Sequence, residues 1–120
     1  MRFTELELQE AAVPIASLIS KSEKALRKLA PGTWQHTMLR ENLKALHMAS
    51  SLMKGKSDDL ESVPQGDLQE ALRAFASMIS RTEKAQGKFS LETSQHTLLR
   101  NRLNALRLAE AVVKAALDRR

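Results

Sequence analysis

The chain has 120 residues, no cysteine, 3% aromatic residues and a formal net charge of +5. This length suits one domain with a modest core, and the lack of cysteine excludes disulfides and thiolate metal sites. No apolar run reaches the roughly 18 residues of a membrane span, and the opening MRFTELELQE has no apolar signal core, so a soluble cytoplasmic protein is expected.

Taken in chain order, Thr4 and Glu7 are spaced as a capping box for a first helix. Its apolar seam follows 3-4 spacing through Leu8, Ala11, Ile15, Leu18, Ser22, Ala25 and Leu29. That period predicts a helix packed nearly parallel or antiparallel to its neighbours and does not fit a strand. Pro14 lies inside the pattern, where it should kink the helix or start a new one. Ala30-Pro31-Gly32-Thr33 breaks the helix, and Thr33 is placed to cap the next one. The second helix carries His36, Leu39, Leu43, Leu46, Ser50 and Met53, with Met38, Ala45, Ala49 and Leu52 widening the stripe.

A polar, acidic segment at about 55–66, GKSDDLESVPQG, reads as a linker. Beyond it, Asp67 and Glu70 have capping-box spacing, and a third seam runs through Leu68, Ala71, Phe75, Met78, Thr82, Ala85 and Phe89. Ser90-Leu91-Glu92-Thr93 lacks Pro and Gly but offers Thr93 or Ser94 as a cap. The fourth seam is His96, Leu99, Leu103, Leu106, Glu110, Val113 and Leu117, widened by Leu98, Ala105, Ala109 and Val112.

These elements come from a duplication. Residues 8–57 recur as 68–117 without a gap, with 23 of 50 positions identical, which identifies two copies of one structural unit. Short turns force the helices of each copy antiparallel. The expected fold is therefore all-α: a single domain over 1–120, a four-helix up-down-up-down bundle of two tandem αα-hairpins with pseudo-two-fold symmetry. Pairing of each hairpin with a second chain is the alternative. Charge divides unevenly: residues 1–67 carry nine Lys/Arg and nine Asp/Glu, residues 68–120 ten and five.

The clearest repeated polar string is Gln35-His36-Thr37 with Arg40, matched by Gln95-His96-Thr97 with Arg100. Glu23 and Glu83 lie upstream, and residues equidistant from a hairpin turn should face each other, pairing Glu23 with Arg40 and Glu83 with Arg100. Glu23, His36, Arg40, Glu83, His96 and Arg100 are thus the candidate binding residues, as inter-helix ion pairs or a duplicated polar pocket. Neither histidine has a second ligand one turn away on its face, so no metal is expected. There is no glycine-rich phosphate loop, no Tyr and no Cys nucleophile, and no acid–base pair that spacing places. No catalytic residue or cofactor is assigned.

Two local patterns resemble known families. Arg40 with His47, seven residues on, resembles the Arg/His catalytic motif of HEPN ribonuclease domains, which are small helical bundles; the second copy has Arg107 in place of His47. The string SQHTLLRNRLNAL resembles the phospho-accepting histidine box of sensor kinases, with Thr97 where that box has an acid. They imply, respectively, an RNase and a phosphorelay protein. Arg100, Arg107 and Lys114 recur every seven residues as a basic stripe on the last helix, a candidate for phosphate contacts. No zinc, helix-turn-helix or RNA-binding signature accompanies it. The leading expectation is a non-enzymatic helical interaction or assembly module, its partner a protein or a second copy, with nucleic acid as the alternative and no membrane.

Overall fold

The computed structural model describes residues 3–55 and 63–119. These form four α-helices and no strand: α1 (Glu5–Arg27), α2 (Trp34–Met53), α3 (Gln65–Gln86) and α4 (Ser94–Asp118). Most of the expected linker, residues 56–62, lies outside the described residues, and its last two positions already belong to α3.

The caps explain where three of the helices begin. Thr4 Oγ1 accepts from the Glu7 backbone N–H at 3.1 Å, and Glu7 Oε1 accepts from the Thr4 backbone N–H at 3.0 Å, closing the expected box. The Thr4 backbone bond, then its side-chain bond, hold the Glu7 carboxyl below its ordinary value. That stabilisation is present above the unfolded-state pKa and is lost as pH falls through the lowered one. Thr33 and Thr93 cap α2 and α4 alike, each accepting from the backbone N–H three residues on at 3.2 Å, from His36 and His96. Each threonine hydroxyl also donates back to the carbonyl three residues earlier, Ala30 at 3.0 Å and Ser90 at 2.9 Å. The Asp67–Glu70 box does not form. α3 starts three residues sooner, with Pro64 as its N-cap and no side-chain cap, because proline can supply the rigid entry to a helix without a side-chain acceptor. Asp67 is left inside the first turn, where its side chain reaches Lys44 at 3.5 Å.

Two sequence differences between the copies shape the helices. Pro14 stands inside α1, which runs through it as one helix and does not restart. Gly55 has φ +76° just past the end of α2, the left-handed termination that glycine permits. The second copy has Ala115 there, and α4 continues to Asp118.

The core is aliphatic and lies at one end of the hairpins. Ile15, Leu46, Leu68, Phe75, Leu106 and Val113 are its largest fully buried side chains. Residues 41–50 and 101–110 show the same position-by-position burial, so the two second helices use corresponding faces. α2 and α4 also contact each other directly, beside the α1–α2, α3–α4, α1–α4 and α2–α3 contacts. Ala45, Ala49, Ala105 and Ala109 are all buried in the core cluster. No member of that cluster, nor any half-buried apolar residue packed on it, falls within 20–44 or 80–104. Within these segments only Leu43, Thr82 and Leu103 are buried, so the parts of both hairpins nearest their turns contribute little to the core.

The dimensions agree. Helices of 20 to 25 residues are about 30–38 Å long at ~1.5 Å per residue. Four of them side by side would give one long dimension, whereas the molecule measures 41 × 38 × 19 Å. It is about a helix length across in two directions and thinner in the third, so the four helices are not aligned side by side along their whole length. Near-parallel alignment along the whole length, expected from 3-4 spacing, does not hold. Phe89 and Leu98, both assigned to the apolar stripe, are 41% and 53% exposed as a result.

Two stability outcomes are expected. Leu106→Ala should cost about 2–5 kcal/mol in denaturant unfolding, while Leu98→Ala should shift the midpoint little. Thr93→Ala should cost about 1 kcal/mol by removing the α4 cap; an unchanged midpoint would show that the threonine does not set this boundary.

Candidate functional site

The repeated polar string sits around the two turns, outside the core. Glu23, Arg40, Glu83 and Arg100 are exposed, and His36 and His96 are half-buried. The cap geometry accounts for much of the repetition: both histidines lie in the first turn, their backbone N–H groups donating to the capping threonines. The His96 Nδ1 atom is buried without a hydrogen-bond partner, so its ring helps fill the space between the two helices at the cost of one unsatisfied polar atom. Among the described residues no group of three or more His, Asp or Glu side chains is placed to hold a metal ion.

The expected ion pairs are not the ones formed. Glu83 pairs with Arg107, Nη2 to Oε2 at 2.9 Å, and not with Arg100. Arg100 and Arg107 share a helix face, so the face was read correctly and the level was wrong by seven residues, about 10 Å of helix rise. The cause is the turn. Past Gln86 the chain continues with Lys88 N–H to Ala85 carbonyl and Phe89 N–H to Gln86 carbonyl at 3.2 and 3.1 Å. This carries it farther from the core before α4 starts and moves the point of equal height down α4. Glu23 and Arg40 likewise form no ion pair among the described residues. The position matching Arg107 in the first copy is His47, which is exposed, as is Arg40. Arg100, Arg107 and Lys114 are all exposed, but Arg107 is committed to Glu83 within the same hairpin.

Two grooves run between the hairpins. The α2–α3 groove is lined by Glu41, Lys44, Ala45 and Met48 facing Asp67, Glu70, Ala71, Arg73 and Ala74. The α4–α1 groove is lined at the same nine positions, 60 apart in sequence, by Asn101, Asn104, Ala105 and Leu108 facing Glu7, Glu10, Ala11, Val13 and Pro14. Their chemistry differs. The Lys44–Asp67 pair crosses the first groove; the matching positions in the second are Asn104 and Glu7, and Glu7 is taken by its cap.

Reading the seams missed the apolar side chains left on the surface of the two tips. Trp34 is 66% exposed and Leu91 79% exposed, one at each turn, with Phe89 and Leu98 near Leu91 in sequence; Leu6 and Val13 on α1, away from the turns, are also exposed, at 63% and 71%. The signal in the sequence was local: a tryptophan directly after a helix cap, and a leucine in a turn where the other copy has Pro31. Charge regroups around the same tips. Residues 20–44 carry six Lys/Arg against two Asp/Glu, and 80–104 carry five against two. The rest of the chain carries eight against ten, so the whole positive excess lies in these two segments, although Lys44 is paired with Asp67 near the start of α3 and does not lie at the turn. Divided along the chain, the first copy had seemed neutral; divided by the core, both tips are basic.

The Glu83 and Arg107 side chains are about half exposed, 50% and 51%. A double-mutant cycle on Glu83→Gln and Arg107→Gln should give a coupling below about 1 kcal/mol that fades with added salt. A larger, salt-resistant coupling would mean that the pair is a structural lock.

Comparison with protein-family models, curated proteins and solved structures finds no match to this chain.

Proposed function

We propose that the protein is a non-enzymatic helical interaction module whose working surface is the pair of hairpin tips. In this reading the fold is an up-down-up-down arrangement with an approximate two-fold axis, both turns lying at one end. The equivalent grooves support the symmetry, since each is lined at the same nine positions. The order of facing residues supports the direction: Ser51 and Leu52 share a pocket with Val63 and Pro64, next to the linker, while Met38 and Ser77 both line the same groove. Chain running away from the linker in both hairpins brings both turns to the far end.

The observation that carries the reading is the confinement of the core to the linker end. Two helices alone cannot cover both their apolar stripes, and here the turn halves have no third layer. Trp34, Phe89, Leu91 and Leu98 are left exposed, and exposed large apolar groups clustered on a surface mark contact sites. The half-buried histidines and exposed arginines of the repeated string border the same surface. Catalysis lacks comparable support: the Arg40 and His47 side chains are two turns apart and both open to solvent. A nucleic-acid reading draws on the exposed Arg100, Arg107 and Lys114, and is weakened by the internal Glu83–Arg107 pair.

The chain has a single tryptophan, and it lies on this surface. Trp34 emission from dilute protein should be that of a solvated indole and should be quenched efficiently by iodide. An occupied tip should shift it to the blue, with sedimentation velocity distinguishing self-association from partner binding. A buried-type emission in the isolated monomer would mean the tips are not free. RNA incubated with the protein should remain intact; cleavage that is abolished by His47→Ala would establish the HEPN-like chemistry in its place.

A further inference from the structure

We infer that the two tips dock on an anionic lipid surface, with Trp34 and Leu91 entering the headgroup region and the surrounding lysines and arginines holding the lipid charge. This rests on the reading that the tips are the working surface and that both face one way. Three features converge on it. First, each turn carries one large apolar side chain that is mostly exposed, Trp34 at 66% and Leu91 at 79%. An apolar tip on a charged element is the arrangement of proteins that lie on a membrane, and tryptophan favours the interfacial layer. Second, with Lys44 set aside because it pairs with Asp67, the segments behind those residues each carry a net +3, and each basic group near an anionic membrane contributes on the order of 1 kcal/mol. Third, each hairpin supplies one such turn, at positions that are not equivalent between the copies, so the second tip binds at the high effective concentration set by the first.

Other partners fit this surface less well. A second copy offering its own tips would bring positive against positive. Its other end offers little countercharge, since the chain outside the tips sums to only −2. A nucleic-acid phosphate backbone would be met by the basic groups, but the residues that lead at each turn are a tryptophan and a leucine, and phosphate has no use for an exposed leucine. The expectation of no membrane partner came from the lack of a spanning segment. No described helix is long and apolar enough to cross a membrane, but docking by two tips does not need one.

Vesicles of phosphatidylcholine alone, and with about one-third phosphatidylserine, provide the test, read by co-sedimentation and by Trp34 emission. Binding should occur on the anionic vesicles, with a blue shift of Trp34 and its quenching by brominated lipid chains, and should be nearly absent on neutral ones. Lys28→Glu with Lys88→Glu should weaken partitioning by about tenfold or more. Leu91→Ser should weaken it while leaving the thermal melt unchanged, since this side chain is outside the core. Trp34 that stays solvated with both vesicle types overturns the inference and leaves the tip surface itself standing. Equal binding to both vesicle types also overturns it, since charge would then have no part. So does tighter binding to a duplex or single-stranded RNA of matched charge, which would transfer the surface to nucleic acid.

Discussion

The close approach of α2 to α4 is the contact on which the rest of the molecule depends. In these two helices Ala45, Ala49, Ala105 and Ala109 are all at 2% exposure or less. Small side chains let two helices come near enough for the flanking Leu46 and Leu106 to be buried completely. α1 and α3 are then held on opposite sides of this pair, each against both α2 and α4 in the pattern of contacts, with no comparable contact between themselves. The first and second helices of each copy thus have different duties. The second helices form the middle and the first helices cover it.

That arrangement also limits the core. Toward the turns Leu43, Thr82 and Leu103 are the buried side chains. The residues of the seam are still apolar there, and the hairpin partly covers them: Leu29, Leu39 and Leu99 are half-buried. Burial near the turns is therefore shared between only two helices, and the largest side chains on the outside of the seam remain in solvent. The same geometry that completes the core at the linker end exposes the tips. Folding stability and the candidate working surface are separated along the length of each hairpin, so tip residues can vary without loss of the core.

Duplication gave two copies of a framework, and substitutions then made their edges different. The Lys44–Asp67 bridge closes one inter-hairpin groove, while its counterpart holds Asn104 and a capped Glu7. The Glu83–Arg107 bridge ties the second hairpin, while the matching position in the first is His47. Glycine at 55 ends one helix and alanine at 115 prolongs the other. Each difference falls at an edge or an end. The buried positions of α2 and α4 keep the same pattern because an altered volume there would be felt by every helix.

The sequence alone determined the features set by local chemistry: four helices from 3-4 spacing, the Thr4, Thr33 and Thr93 caps, and the duplication that pairs Leu43 with Leu103 and Leu46 with Leu106. A helix face is fixed by its period: Glu83 was expected to pair with Arg100 and pairs with Arg107, seven residues on along the same face. Its level was not fixed, because the height at which two helices meet depends on the path of the turn and differs between Arg100 and Arg107 by two helical turns. The start of α3 was misplaced for a related reason: Asp67 has the spacing of a cap, but Pro64 already sets the entry. What only the tertiary structure decided is how far along each helix its neighbours cover it. Periodicity records which side of a helix is apolar and carries no information about where along its length a neighbour stops. That stopping point turned Phe89 and Leu98 from core residues into surface ones, left Trp34 and Leu91 at the turns, and gathered the positive charge of both copies into two tips.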